Sequence, residues 1–136
     1  MVYKLLVQCL PDTHLKKVQQ LVSACFFKYV SLDKLRSYDY GIVLQMQTVY
    51  VAVLLVRIEL DTNTHVVDLL CVHESQRNRG YGSEILSFFI EELSTSSQAR
   101  VNINSADTKL LSFFIRQGFE KNEFSDTGIL TYRKQD

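Results

Sequence analysis

The chain has 136 residues, 46% of them apolar, one proline, and equal numbers of basic and acidic side chains, 15 of each. That length and apolar content suit one domain, residues 1–136, with a real core and argue against disorder, while the charge balance removes the broad positive field by which nucleic acid or an anionic membrane is recruited. No apolar run approaches membrane-spanning length and the N-terminus lacks a signal-peptide layout, so an intracellular protein, cytoplasmic or nuclear, is expected.

In chain order, Val2 to Leu10 reads as a first strand, broken by Pro11 and Asp12. Thr13 is placed to cap the helix that follows, and Leu15, Val18, Leu21, Val22, Cys25 and Phe26 recur at helical spacing up to about Tyr29. Ser31 to Arg36 is a short helix or an irregular segment. It leads to Tyr38-Asp39-Tyr40-Gly41, which lines a substrate mouth or is a solvated connector. From Gly41 the pattern turns to β: Ile42–Gln47 and Val49–Leu60 form a hairpin turning near Gln47-Thr48, and the second run is apolar on both faces in its middle, as a central strand is. Asp61 to Thr64 is a turn, and His65–Val72 is the next antiparallel strand. The loop His73–Gly82 then opens a helix from Ser83, with Ile85, Leu86, Phe88, Phe89 and Leu93 at helical spacing. Ala99–Asn104 alternates as a strand. Asp107 sits where a cap belongs, ahead of an apolar helix that stops at Gly118, and Phe119–Phe124 with Gly128–Arg133 close the chain as a hairpin. The order predicts a mixed α/β domain whose central, mostly antiparallel sheet of about six to seven strands is flanked by helices. The three cysteines, Cys9, Cys25 and Cys71, lack metal-ligand spacing and read as reduced core thiols.

The stretch with the most chemistry is Arg77-Asn78-Arg79-Gly80-Tyr81-Gly82, between an apolar strand and an amphipathic helix. Glycines at 80 and 82 let backbone amides approach a ligand, the helix start adds partial positive charge, and Arg77 and Arg79 suit phosphate oxygens. The plain alternative is a strand-to-helix turn. No Gly-Lys-Ser/Thr follows, so it is no Walker loop, and its place after the fourth strand of a meander excludes a dinucleotide fold.

Leu70-Cys71-Val72-His73-Glu74-Ser75-Gln76-Arg77-Asn78-Arg79-Gly80-Tyr81-Gly82-Ser83-Glu84-Ile85-Leu86 resembles the acetyl-CoA-binding motif of the GNAT N-acetyltransferase superfamily, V-x-P-E-Y-R-G-x-G-I-G-x-x-L-L, with R/Q-x-x-G-x-G/A at its heart. Asp107 to Glu120, with Phe113-Phe114-Ile115-Arg116-Gln117-Gly118-Phe119, resembles the family's later helix, N-x-x-A-x-x-L-Y-E-K-x-G-F. The resemblance implies acetyl-CoA as cosubstrate, with backbone around Leu70, Cys71 and Val72 pairing with the pantetheine arm where two strands splay. It also implies that amides of Arg77, Asn78, Arg79, Gly80, Tyr81, Gly82 and Ser83 hold the pyrophosphate, with Arg116 either reaching the nucleotide or standing free on the surface. Dimerisation is common among such proteins. Two departures stand out: Asp107 replaces a frequent asparagine, and Phe114 replaces a tyrosine that serves the family as general acid, so Tyr81, Tyr132 or water would have to serve the thiolate.

Transfer to nitrogen needs a neutral amine, so a base must take a proton. Asp68, the only charged residue of its strand, shares alternation parity with Leu70 and Val72, and burial would make it a stronger proton acceptor. Asp68 is therefore either the base or amine-binding group, or a structural acceptor of hydrogen bonds; His65 and His73 are weaker candidates. No metal set and no nucleophile–base triad is present in the sequence. The expected reaction is direct attack of a primary amine on the thioester. Acidic residues Asp33, Asp39, Glu59 and Asp68 favour a small cation such as a polyamine as acceptor, with protein lysines or N-termini the alternative. A weakly catalytic acyl-CoA-binding module is the reading from another class.

Overall fold

Three consecutive runs of alternating or continuous apolar residues build the middle of the sheet: β2 (Tyr40–Met46), β3 (Val49–Glu59) and β4 (Thr64–Val72). The turn between β2 and β3 places Gln47 at φ 57° and that between β3 and β4 places Asn63 at φ 49°, the left-handed geometry that tight connections require. The structure, a computed structural model, describes residues 1–26, 28–103, 107–121 and 128–134. Around the meander lie β1 (Val2–Leu5), α1 (Asp12–Phe26), α2 (Leu32–Arg36), α3 (Tyr81–Glu92), β5 (Gln98–Ile103), α4 (Thr108–Arg116), β6 (Glu120–Lys121) and β7 (Gly128–Arg133). Among the described residues the strands form one seven-stranded sheet, ordered β1-β2-β3-β4-β5-β7-β6, antiparallel throughout except where β4 meets β5. The expected mixed α/β architecture is the one found.

Each face of the sheet carries its own core. On one, Leu54, Val56, Val67 and Leu130 meet Ile85, Leu86 and Phe89 of α3 and Phe114 of α4. On the other, Val43, Val53, Leu55 and Cys71 meet Leu15, Val18 and Val22 of α1 and Leu35 of α2. The strand β3 feeds both, which is why its middle is apolar at every position.

Several boundaries differ from the sequence reading, each for a local reason. The first strand stops at Leu5 rather than Leu10, because Cys9 N donates to Leu6 O at 2.9 Å and closes a turn. Cys9 is exposed there, so only Cys25 and Cys71 are packed among apolar neighbours. Thr13 is not the cap of α1: His14 N and Leu15 N both donate to Pro11 O at 3.0 Å, which starts the helix two residues earlier, at Asp12. That helix ends at Phe26. The short second helix is present and is capped by Ser31, whose hydroxyl accepts from Lys34 N at 3.1 Å. Helix α3 begins at Tyr81 because Gly80 supplies the break, at φ 80°. Asn104, expected in β5, and Asn122 to Phe124, expected in the closing hairpin, lie outside the described residues.

Phe114 is 1% exposed and stands edge-on to both Phe113 and Phe119, with centroids 5.3 Å from each. Truncation there opens a cavity between α4 and the sheet: Phe114→Ala is expected to lower unfolding free energy by about 3–5 kcal/mol in urea denaturation. Leu60→Ser, at a position 85% exposed, is expected to stay within about 0.5 kcal/mol.

Candidate active site

The parallel ladder between β4 and β5 joins Thr64–Val67 to Gln98–Val101 and goes no further. Beyond it β4 runs on to Val72, paired among the described residues on its β3 side alone. His73 N donates to Val51 O at 2.7 Å, so positions 51 and 73 form a hydrogen-bonded pair. Antiparallel alternation then turns the backbone groups of Leu70 and Val72 away from β3 and into the gap. This is the splay at which the sequence reading places those two residues.

A β-bulge marks where the strands part. Leu55 is opposite Leu69 while Val56 is opposite Val67, leaving Asp68 as the extra residue. The bulge reverses side-chain parity, and two expectations for Asp68 fall with it. Asp68 does not share a face with Leu70 and Val72; it turns toward the α1 side, where Tyr38 Oη donates to Asp68 Oδ2 at 2.6 Å. Nor is it buried: the residue is exposed at the wall of a pocket of about 550 Å³. Val22, Phe26, Leu35, Tyr38 and Leu69 supply the apolar part of that wall, with Lys28 and Lys34 also on it. Burial and the bond to Asp68 hold the Tyr38 hydroxyl well above the ordinary phenol range. Tyr38 therefore stays a donor, fixing the carboxylate's orientation.

On the gap side a cleft of about 660 Å³ is walled by β4, the loop after it, α3 and α4. It brings together Leu70, Cys71, Val72, Arg77, Asn78, Gly80, Tyr81, Gly82, Ser83 and Asp107 from the expected set. The loop is shaped by two left-handed residues, Asn78 at φ 65° and Gly80 at φ 80°. Gly80 offers α3 no side-chain cap, and the first amide to find a partner in it is Glu84 N, which donates to Gly80 O at 3.0 Å. The amides of Tyr81, Gly82 and Ser83 precede that first turn and leave the helix's positive end uncapped at the cleft. Arg77 is steadied by its Nε donating to Val72 O at 3.1 Å. Gln76 Oε1 is buried in the same wall without a hydrogen-bond partner among the described residues.

Helix α4 closes the cleft with one edge. Asp107 caps it, accepting from Leu110 N at 3.1 Å, and Asp107, Leu110 and Phe113 line the cleft at three-residue spacing. Phe114, expected to face the ligand, lies in the core instead, because the next position on a helix points about 100° away; Phe113 takes that wall. Arg116 and Arg79 are exposed and off the cleft wall, on α4's last turn and the outer part of the loop. Tyr81 lines the cleft, whereas Tyr132 packs on Phe119 and Gly118. His73 caps the turn Glu74–Gln76, accepting from Ser75 N at 3.1 Å, and His65 Nδ1 pairs with Tyr40 Oη at 2.7 Å, so both histidines have structural partners. Sequence reading passed over Cys25, Phe26, Gln76 and Phe113 on these walls. The three-residue spacing from Asp107 was a usable signal for Phe113; the others look like ordinary helix or loop residues.

A family model for the acetyltransferase (GNAT) domain matches residues 9–133. No single curated protein matches the chain in sequence. Among solved structures, Ard1 from Thermoplasma volcanium superposes with a TM-score of 0.78 at 13% identity, over 100% of this chain and 98% of that one. PaiA N-acetyltransferase from Thermoplasma acidophilum, in complex with coenzyme A, gives 0.77 at 10% identity over 98% and 99%. Arabidopsis thaliana Naa50, in complex with the bisubstrate analogue CoA-Ac-MVNAL, gives 0.75 at 14% over 98% and 99%.

The two neighbouring phenylalanines of α4 should answer differently to one added oxygen. Phe113→Tyr sets a hydroxyl at the cleft wall and should leave stability nearly unchanged. Phe114→Tyr buries one without a partner and should lose about 1–3 kcal/mol. Paired denaturation curves compare them; equal losses would mean the α4 face is rotated from the one described.

Proposed function

The chain belongs to the GNAT acetyltransferase family, and from that footing we propose that it binds acetyl-CoA in the cleft between the open edge of β4, α3 and α4 and passes the acetyl group to an amine approaching over Asp68. One observation carries the reading: the uncapped start of α3 faces the same cleft into which Leu70 and Val72 turn their backbones. The amides of Tyr81, Gly82 and Ser83, with Arg77, suit the pyrophosphate. Leu70 and Val72 offer an open strand edge to the amide groups of the pantetheine arm, as an added strand would use it. Of Val72, the N–H is the free group among the described residues, because its carbonyl is held by Arg77 and Cys25. The buried acceptor Gln76 Oε1 is suited to a ligand N–H.

On the acceptor side Asp68 takes the proton from the incoming ammonium, directly or through one water, and Tyr38 holds the carboxylate in place. The freed amine attacks the thioester carbon, the C–N bond forms, the C–S bond breaks to release CoA thiolate, and the second proton shed by the nitrogen passes to solvent water, from which the thiolate is protonated. Tyr38, raised above the usual phenol range, is a poor proton source for that thiolate, and Phe113 and Phe114 have none to give. A thiolate is a modest base and leaves without an acid.

The acceptor best suited to the pocket is an amine with apolar groups beside it, such as a peptide N-terminus with an apolar first side chain. Of the acidic residues that favoured a polyamine, Asp68 alone lines the pocket among the described residues. Asp39 accepts from Ile58 N at 2.6 Å and Glu59 pairs with Arg100 at 2.6 Å, so both are engaged elsewhere, and Asp33 is an exposed residue in the first turn of α2. Lys28 and Lys34 disfavour a polycation. That Naa50 was captured with a CoA–peptide analogue supports the peptide reading.

Asp68→Asn is expected to lower kcat about 10²–10⁴-fold, with KM for acetyl-CoA little changed, and Tyr38→Phe to lower it less. Unchanged turnover in Asp68→Asn would remove the assignment of the base. In a radiolabelled acetyl-CoA assay, a peptide with an apolar N-terminal residue should exceed spermidine in kcat/KM by about tenfold or more. A preference for spermidine would reverse the acceptor assignment.

A further inference from the structure

Helix α1 ends beside β4, and there the cofactor cleft contains something its proposed chemistry does not use: two cysteines, Cys25 from α1 and Cys71 from β4, on one wall. Cys71 is 5% exposed in the core cluster of the α1 face, and Cys25 packs partly buried against that cluster. Cys25 Sγ donates to Val72 O at 3.4 Å, the carbonyl that also receives Arg77 Nε at 3.1 Å. One sulfur therefore has a second thiol on one side and a guanidinium on the other, and it opens on a cleft that admits small molecules.

We propose that Cys25 and Cys71 are an oxidisable thiol pair whose disulfide, formed across α1 and β4 by a peroxide, closes the cofactor cleft. Cys25 thiolate attacks one peroxide oxygen, the O–O bond breaks, and the sulfur becomes a sulfenic acid while hydroxide leaves. The Cys71 sulfur then displaces the sulfenic oxygen, which leaves as water with the Cys71 proton, and an S–S bond remains. The peroxide is the oxidant and the two thiols the reductant.

The environment assigns the roles. A hydrogen bond from Cys71 lowers the Cys25 pKa, burial opposes it, and Arg77 lowers it further by hydrogen bond and charge. Cys71, deeper and facing Cys25, is raised by that same bond and by burial. The Val72 carbonyl favours the neutral thiol of Cys25, but Arg77 satisfies that carbonyl when the proton leaves, so two donors face the thiolate against one competing acceptor. The other charged residues on the cleft wall, Asp107 and Lys109, carry opposite signs. Cys25 is thus the attacking thiol and Cys71 the resolving one.

The consequence for the cofactor rests on the acetyl-CoA reading. The disulfide brings the two sulfurs to about 2 Å and so draws the last turn of α1 onto β4 beside Val72 and Arg77, narrowing the cleft at that wall. Oxidation and CoA then oppose each other with one coupling constant: bound CoA shields Cys25, and the disulfide weakens CoA.

The test treats the full chain with hydrogen peroxide, with and without CoA, and maps thiols by peptide mass spectrometry. Dimedone traps any sulfenic acid. The expected product has lost two hydrogens and links Cys25 to Cys71, forming before the more exposed Cys9 reacts. CoA slows it and dithiothreitol reverses it. Cys71→Ser should stop at a dimedone adduct on Cys25, and the oxidised protein should bind CoA about tenfold more weakly or worse in calorimetry. Oxidation confined to Cys9, or a Cys9 cross-link between chains, overturns the pair. A mapped Cys25–Cys71 bond with unchanged CoA affinity overturns the closure. A reduced protein that never binds CoA overturns the cofactor reading instead, and the peptide map still decides the thiol pair.

Discussion

Parallel pairing between β4 and β5 ends at Val67 and Val101, and the rest of the site depends on that parting. Inside a sheet, strands that stop pairing leave N–H and C=O groups that must find water or a ligand. Here the stop coincides with the extra residue Asp68, which β4 carries opposite the step from Leu55 to Val56. The bulge moves the residues after Val67 to the opposite faces, so Leu69 and Cys71 complete the α1 core while Leu70 and Val72 pack toward α3. It also aims Asp68 at Tyr38. One inserted residue thus shapes two openings: the cleft along the open edge of β4, and the pocket beside Asp68 on the α1 side.

The opening is tolerable because the sheet is clamped elsewhere. Antiparallel partners hold β4 against β3 and β5 against β7 along their lengths. Gln117 Nε2 donates to Ser83 Oγ at 3.0 Å, tying the end of α4 to the start of α3, and Phe113 and Phe114 fill the angle between that helix and the sheet. The uncapped helix end and the open strand edge are therefore held apart by packing, not by each other, and both remain available to a ligand. Where α1 reaches the same cleft, its last turn contributes Cys25 and Phe26, so the helix that lines the pocket beside Asp68 also touches the cleft wall.

Much of the fold was legible because it rests on local periodicity: the β2–β3–β4 meander, the amphipathic α1 and α3, the Asp107 cap, and the glycine loop. Failures cluster where distant contacts overrule local pattern. The apolar run after Leu5 looked like continued strand, but a turn at Leu6–Cys9 exposes Leu6 and Cys9. Thr13 looked like a cap, but Pro11 O was already accepting the first amides. Alternation assigned Asp68 to the buried face shared by Leu70 and Val72, and a bulge invisible to alternation reversed it. The motif alignment put Phe114 at the ligand, whereas the roll of α4 against the sheet decided for Phe113.

By itself the sequence determined the element order, the phosphate-suited loop from Arg77 to Ser83 and the family resemblance, since each follows from neighbours a few residues apart. Only the tertiary structure decided which backbone groups stay unpaired, that Asp68 is exposed and oriented by a tyrosine 30 residues away, and that Cys25 and Cys71 share one wall. Those outcomes depend on where a ladder stops and how helices roll on a sheet. Packing of the whole chain settles both, and no local window contains them. The loop has the form of a phosphate cradle in either description; the fold alone sets what stands beside it.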